Sequence, residues 1–113
     1  MRIINQAEID GANAASNITS DGFDASSVYN MSAQVISGAT QLGTFKLQYS
    51  NDPVQSLSFV THWSDITGKT VAVSGAGTGS IEKFDVCYQW IRAVYTATSG
   101  TGVLSCNIKT NGY

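Results

Sequence analysis

Alternation of apolar and polar residues with a period of two constrains this chain more than any other feature. Near the end of the chain, two apolar, β-branched and aromatic segments, 88–96 and 102–108, flank turn residues at 98–101. Upstream, the alternating segments 28–37 and 44–50 flank a second turn at 38–43. Paired segments around a Gly-containing turn are typical of β-hairpins. We therefore predict one long hairpin over 88–109 and a core hairpin over 28–50.

Shorter segments of β character fill the rest of the chain, and no helix longer than a single turn at 12–15 is expected. The predicted elements are an edge strand at 2–6, a short strand at 16–19, and strands at 57–63, 70–73 and 80–86, separated by turns at 51–53, 67–69 and 74–79. Eight or nine short strands at this spacing favour an all-β antiparallel sandwich with jelly-roll connectivity. We predict one domain over 1–113, in which 1–15 can form an extended N-terminal arm.

The chain carries few charges. Asp, Glu, Lys and Arg make up 12% of its 113 residues, against about 25% in an average globular protein. Its surface must therefore consist mainly of Ser, Thr, Asn, Gln and Gly. Weak repulsion between copies suits packing beside identical neighbours, which favours a homo-oligomer. Many small β proteins are also simply rich in Ser and Thr, and composition alone does not separate the two interpretations.

Charge and hydropathy exclude two classes of partner. The net charge is −2, and the six Lys and Arg residues are scattered without a run, so we expect no nucleic-acid binding. No segment approaches the roughly 20 apolar residues of a membrane span, and the N-terminus lacks the apolar stretch of a signal peptide. We expect a soluble product made in a cytoplasm.

The two cysteines are Cys87 and Cys106. The predicted final hairpin sets Cys106 opposite residue 93 or so, too far along the strand from Cys87 for direct cross-strand pairing. We predict two buried free thiols, with a bond between different sheets as the alternative.

Catalytic and metal-binding patterns are absent from the sequence. The single histidine, His62, lies beside Trp63, and in a strand the two side chains point to opposite faces. We predict a partly exposed histidine at a strand end, with no catalytic role. The eight acidic residues are dispersed; Asp21 and Asp24 lack the spacing of a calcium loop, and no zinc spacing exists. The Gly-rich segment 74–79 precedes no helix, so it is a turn and not a phosphate loop. We predict no enzyme activity, cofactor or metal.

Aromatic residues are the remaining functional candidates. Tyr and Trp residues that share an exposed face can stack on sugars, as in β-sandwich carbohydrate modules, although core or interface packing is the commoner use inside strands. Both faces of the strand after Tyr88 are only half apolar, which suggests a core on one side and a partner subunit on the other. We predict partner contacts through Met1, Arg2, Ile3, Ile4, Trp63, Trp90, Arg92 and Tyr95.

Three segments in order resemble small virion proteins of tailed bacteriophages. They are a strand ending in Ser-Asn-Asp-Pro at 50–53, the Trp63 segment followed by the Gly-rich turn near 74–77, and the closing segment 88–104 with its Arg-Ala-Val-Tyr-Thr run. The resemblance spans roughly 28–110. Cys87, Cys106 and His62 depart from the pattern.

The resemblance implies a non-enzymatic β-sandwich component of the virion, with no catalytic residues. A capsid decoration (cement) protein that binds major capsid proteins is our first expectation, ahead of a head fibre or a tail accessory protein. The alternative is a glycan- or receptor-binding module of a phage fibre or spike. Assembly would take place in the host bacterial cytoplasm.

Overall fold

A computed structural model describes residues 2–112, with side chains from residue 8 onward. It contains nine strands: β1 (Arg2–Asn13), β2 (Ile18–Thr19), β3 (Phe23–Asp24), β4 (Val28–Ser37), β5 (Leu42–Ser50), β6 (Ser64–Ser74), β7 (Gly77–Asp85), β8 (Trp90–Ser99) and β9 (Val103–Gly112). A 3₁₀ turn, Leu57–Phe59, lies between β5 and β6. Within the described residues no helix is long and apolar enough to cross a membrane.

The strands form two antiparallel sheets. The first sheet has the order β1-β9-β4-β7, and the second has the order β2-β8-β5-β6 with β3 also paired to β8. β2 and β3 contact successive parts of β8, through Ile18 opposite Tyr95 and Phe23 opposite Ile91. Counted as one interrupted strand, β2 and β3 complete the two four-stranded sheets of a jelly roll. The predicted all-β sandwich with jelly-roll connectivity is confirmed.

Both predicted hairpins are wrong. β4 pairs with β7 and β9 in the first sheet, whereas β5 pairs with β6 and β8 in the second. The final strands β8 and β9 also belong to different sheets. Alternation specifies which face of a strand is buried. The same alternation is found in two strands that pair within one sheet and in two strands that face each other across a core, so it does not specify the pairing. The connections 38–41 and 100–102 therefore cross between sheets.

These two crossing connections pack against each other. The Gly38 and Thr40 N–H groups donate to the Val103 and Thr101 carbonyls at 3.2 and 3.1 Å. The buried side chain of Gln41 donates from Nε2 to the Val103 carbonyl at 2.8 Å. Gly102 has φ 149°, and a Cβ there would lie 2.0 Å from Gln41 Oε1. Glycine is required at this position because both the backbone angle and the space exclude a side chain.

Several shorter predictions are also corrected. Segment 57–63 is a 3₁₀ turn and extended loop, not a strand, since it has no strand partner. β6 continues through the predicted turn at 67–69, where an irregularity in its pairing with β5 absorbs Gly68 at φ 78°. β7 begins at Gly77, inside the Gly-rich segment predicted to be a turn. Pairing in a sheet overrides the weak strand preference of glycine.

The N-terminal segment is an edge strand, as predicted, but a much longer one. β1 pairs with β9 from Arg2 opposite Gly112 to Asn13 opposite Val103, with two irregularities. The backbone of this segment is therefore hydrogen-bonded to its own chain along the first sheet, and its outer edge is where a neighbour can reach it.

The core lies between the sheets and follows the predicted alternation. Met31, Ala33 and Val35 of β4 face Phe45 and Leu47 of β5 across the interior, and all five are buried. In β8 the inward residues are Ile91, Ala93 and Tyr95, each fully buried. These three residues show which of the two half-apolar faces of β8 points into the core.

The cysteines behave differently from each other. Both are free, as predicted, but Cys87 is exposed in the β7–β8 loop and only Cys106 is buried. Cys106 pairs with Ile9 and Val35 in the first sheet, not with residue 93. Burial, with a smaller effect of Glu8, raises the pKa of the Cys106 thiol to about 12.

Candidate functional site

A row of polar side chains crosses the outer face of the second sheet. Gln48 of β5 lies opposite Arg92 of β8 on one side and Asp65 of β6 on the other. The Arg92 Nε–H donates to Gln48 Oε1 at 2.8 Å, and Gln48 Nε2 donates to Asp65 Oδ1 at 2.9 Å. The side chains are thus linked across three strands, because the register puts all three on one face.

The row is extended at both ends. The Arg92 guanidinium lies 4.3 Å from the centre of the Trp63 ring, a cation–π contact. Lys46 Nζ lies 3.2 Å from the Asp65 carboxylate. Hydrogen bonds from Gln48 and Lys46 lower the pKa of Asp65, and burial lowers the pKa of Arg92. We call Trp63, Arg92, Gln48, Asp65 and Lys46 the polar row.

The loop 51–63 lies beside the polar row and is closed on itself by one carboxylate. Asp52 Oδ2 accepts hydrogen bonds from the Thr61 and His62 backbone N–H groups at 2.8 and 3.0 Å. Asp52 Oδ1 lies 3.1 Å from His62 Nδ1. The backbone bonds from Thr61 and His62 are the main cause of a lowered Asp52 pKa. His62 itself is 84% exposed, on a loop and not at a strand end.

The predicted contact residues fall into three groups. Trp63 and Arg92 lie together on the outer face of the second sheet, both half-buried. Trp90 is buried beneath the loop, with its Nε1–H donating to the Asp52 carbonyl at 3.1 Å, and Tyr95 is fully buried in the core. Neither Trp90 nor Tyr95 presents its side chain to a partner in this fold. Arg2, Ile3 and Ile4 are in the backbone of β1, but their side chains, and all of Met1, lie outside the described part.

A cleft of about 390 Å³ opens at the end of the sandwich that carries loop 51–63. Its walls come from three loops, and Asn51, Cys87, Tyr88 and Gln89 are among its lining residues. The Tyr88 ring stacks on Tyr49 with centroids 4.2 Å apart. The Asn51 side chain accepts the Gln89 N–H at 3.1 Å. These groups can donate and accept hydrogen bonds, and the lining contains no carboxylate or imidazole.

The possible metal ligands of the described residues are dispersed. Among residues 8–112 no group of three or more His, Cys, Asp or Glu side chains is arranged to hold a metal ion. His62 contacts Asp52 and the Thr61 hydroxyl on an exposed loop, outside the cleft just described.

The outer face of the first sheet carries a second surface that the sequence analysis did not single out. Its central strands present an uncharged patch, made of Ser32, Gln34, Ile36, Ser105 and Asn107, and Lys109 lies beside the patch, opposite Ser32. Ile36 is 41% exposed and the neighbouring Val103 is 55% exposed. The sequence does contain a sign of this surface, because the outward-facing residues of β4 and β9 are almost all amides and hydroxyls. The predicted hairpins paired β4 and β9 with other strands, so the two sets of polar residues were not placed on one surface.

The fold is shared with several solved structures. The PBSX exported protein XepA matches 97% of this chain with a TM-score of 0.72 at 12% identity, and the SPBc2 prophage-derived protein YomS matches 96% with a TM-score of 0.62 at 8% identity. PirA matches 96% with a TM-score of 0.55 at 12% identity. No protein-family model and no curated protein matches the sequence.

The extent of these matches differs. The chain spans 37% of the length of XepA but 93% of the length of YomS and of PirA. At identities of 8% to 12%, the likeness is one of fold. The chain therefore has the jelly-roll sandwich of these proteins, and its role has to be argued from its own surfaces.

Proposed function

We propose that this chain is a non-enzymatic structural protein of a bacteriophage virion, and specifically a decoration (cement) protein that binds major capsid proteins on the head. The likeness of fold to a prophage-derived protein over almost the full length of both chains supports this assignment. The sequence resemblance to small virion proteins of tailed phages supports it independently. On this proposal the chain assembles in the host cytoplasm and resides in the virion.

The observation that carries the proposal is the uncharged patch on the outer face of the first sheet. Ser32, Gln34, Ser105 and Asn107 offer hydrogen-bonding groups with little desolvation cost compared with charges, and the exposed Ile36 adds apolar area. Depletion of charge in a contact area is typical of interface cores. A flat sheet face of this kind fits against another protein surface better than around a small ligand.

The proposed mechanism is adhesion repeated by symmetry. Each copy would cover a junction between capsid subunits with the outer face of its first sheet and add buried area there. Contacts of modest strength, repeated over the shell, oppose the outward pressure of packaged DNA by their sum. The open edge of β1 gives a further place for contact with a neighbouring copy.

The test is thermal release of DNA from phage particles prepared with and without this protein. Particles that lack it should release DNA at a lower temperature, and addition of the purified chain should restore the original temperature. The matched variants are Gln34→Lys on the proposed contact face and Thr44→Lys on the outer face of the second sheet. Gln34→Lys should fail to restore the temperature, whereas Thr44→Lys should succeed. Equal release temperatures with and without the chain would remove the cement role.

A second candidate function is glycan binding by a phage fibre or spike. The polar row favours it, since Trp63 supplies an aromatic ring and Arg92, Asp65 and Lys46 supply hydrogen-bonding groups beside it. The buried Trp90 does not take part, in contrast to the expectation from sequence.

A glycan array separates the two candidates. If the chain is a glycan-binding module, it should retain specific sugars on the array, Trp63→Ala should abolish that binding, and particle stability should stay unchanged. If it is a cement protein, no sugar should be retained and the Trp63→Ala chain should still protect particles.

A further inference from the structure

Two lysines share one cross-strand row on the outer face of the first sheet. Ser32 of β4 lies opposite Lys109 of β9. On the other side, Met31 pairs with Phe84 and Ala33 pairs with Ile81, so the bulge in β7 puts Lys83 level with Ser32. The lysine backbones are thus separated by one intervening strand, or about 10 Å. Two ammonium groups on flexible stems can reach a single group bound above Ser32.

The two lysines line a common cleft of about 220 Å³ together with Asn30, Ser32 and Asn111. Asn111 Nδ2 donates to Asn30 Oδ1 at 2.9 Å, so this bond uses the Asn30 oxygen and not the Asn30 amide hydrogens. No acidic side chain of the chain lies within ion-pair distance of Lys83 or Lys109 in the described part. Lys46 and Lys69, by contrast, contact Asp65 and the Phe84 ring.

We propose that the row Lys83–Ser32–Lys109 binds a carboxylate of a partner protein, an Asp or Glu side chain that docks together with a surface covering the uncharged patch beside the row. The argument is charge complementarity: two lysines that have no ion pair with a described side chain, and two asparagine amides, line one cleft. This inference rests on the proposed function, because it names the chemistry of the partner that covers the first sheet.

The acidic residues nearby limit the strength of the site. Glu82 precedes Lys83 in the bulge, and Asp85 lies opposite Asn30 in the next row. Their field reduces the attraction for an anion, so the site should bind a single carboxylate weakly by itself and gain strength only as part of a larger contact. Its role is to set the register of docking and to speed encounter.

The test uses the isolated 113-residue chain and a synthetic peptide that contains two glutamates, with the glutamine version of the peptide as control. Amide NMR signals of Ser32, Lys83 and Lys109 should shift saturably with the glutamate peptide and not with the glutamine peptide. The double variant Lys83→Gln/Lys109→Gln should weaken this binding about ten-fold. The single variants Lys109→Gln and Lys69→Gln make the same change in net charge; Lys109→Gln should weaken the binding, and the control Lys69→Gln should bind as the natural sequence does.

Three outcomes would overturn the inference. They are no shifts at the row, equal shifts around all the lysines, or saturable binding of glucuronate but not of the glutamate peptide, which would indicate an acidic sugar as the ligand. A melting temperature of the double variant close to that of the natural chain establishes that it is folded. The peptide result does not depend on particles: if the natural chain fails to bind particles but binds the peptide, the cement role fails and the carboxylate site stands.

Discussion

The Asp52 carboxylate contacts both the backbone and the ring of His62. Oδ2 accepts the His62 N–H at 3.0 Å, and Oδ1 lies 3.1 Å from His62 Nδ1. Ten residues separate the two in sequence. The contact closes loop 51–63 on itself, and the Asp52 carbonyl accepts the Trp90 indole N–H beneath it. The Asp52 side chain therefore joins the two ends of the loop, while its backbone carbonyl bonds the buried Trp90.

Replacement of Asp52 by Ala should open this loop without unfolding the sandwich. The Thr61 and His62 N–H groups lose their acceptor, so the end of the loop at residues 61 and 62 separates from residue 52. Limited proteolysis should cut within 51–63 faster than in the natural chain. The maximum of the Trp fluorescence emission should move to longer wavelength as Trp90 becomes more exposed to solvent. The control Asp65→Ala removes a carboxylate of the same face outside the loop. If both variants are cut at the natural rate, Asp52 does not hold the loop.

The same contact should depend on acid. The pKa of Asp52 is lowered below its usual 3.8 in the folded chain, so its contribution is complete above that value and is lost as the pH falls through the lowered pKa. The NMR signals of the Thr61 and His62 amides should therefore move together with a midpoint below pH 3.8. In Asp52→Asn that transition should be missing. A midpoint above 3.8 would contradict the hydrogen-bonded arrangement.

Gly102→Ala should be one of the most damaging single-methyl changes in the chain. The new Cβ would lie 2.0 Å from Gln41 Oε1 and 2.3 Å from the Gly38 carbonyl. We expect a loss of at least about 2 kcal/mol in the free energy of unfolding, measured by urea denaturation. Gly77→Ala is the control, because a Cβ there meets nothing within 4 Å, and it should change stability by less than about 1 kcal/mol. Similar losses in the two variants would argue against the packed crossing connections.

The two thiols should differ sharply in reactivity. Cys87 is exposed, whereas Cys106 is buried with a pKa raised to about 12. Because the thiolate is the reacting form, a thiol reagent at neutral pH should modify one cysteine per folded chain and two after unfolding. Cys87→Ser should leave the folded chain unreactive. Fast reaction of both thiols in the folded chain would contradict the burial of Cys106.

Tyr95→Phe should not weaken the fold. Tyr95 is fully buried, and its hydroxyl has no hydrogen-bond partner among the described side chains and backbone. Removal of an unpaired buried hydroxyl should leave stability unchanged or raise it by about 1 kcal/mol, whereas Tyr95→Ala should cost about 3 to 5 kcal/mol. Thermal unfolding measures both. A large loss in Tyr95→Phe would mean that the hydroxyl has a partner.

Alternation predicted the strands and their buried faces well, but it did not predict their partners. β4 matches its prediction at both ends, and Phe45 and Leu47 point inward as expected. The hairpin prediction failed because, with β2 and β3 counted as one interrupted strand, every consecutive pair of strands in this jelly roll changes sheet except β5 and β6. Two of the sequence predictions, hairpins and jelly-roll connectivity, were thus incompatible. The glycines that permit the crossing connection at 100–102 also permit a hairpin turn. The local sequence therefore does not distinguish a crossing connection from a hairpin turn.

The candidate surfaces were predicted only in part. Trp63 and Arg92 were both predicted as contact residues and lie in direct contact, but Trp90 and Tyr95 are buried. An aromatic residue in a strand with two half-apolar faces gives no signal of which face meets the core. The row of Lys83, Ser32 and Lys109 depends on long-range register and on a bulge in β7, and neither is visible in the sequence.

Imaging of the intact phage particle tests the central claim most directly. The account predicts one two-sheet sandwich per repeated position on the capsid, with the first sheet against the major capsid protein and loop 51–63 facing outward. A map in which the chain is missing from the capsid shell, or is attached at a fibre tip with the first sheet exposed, would contradict it.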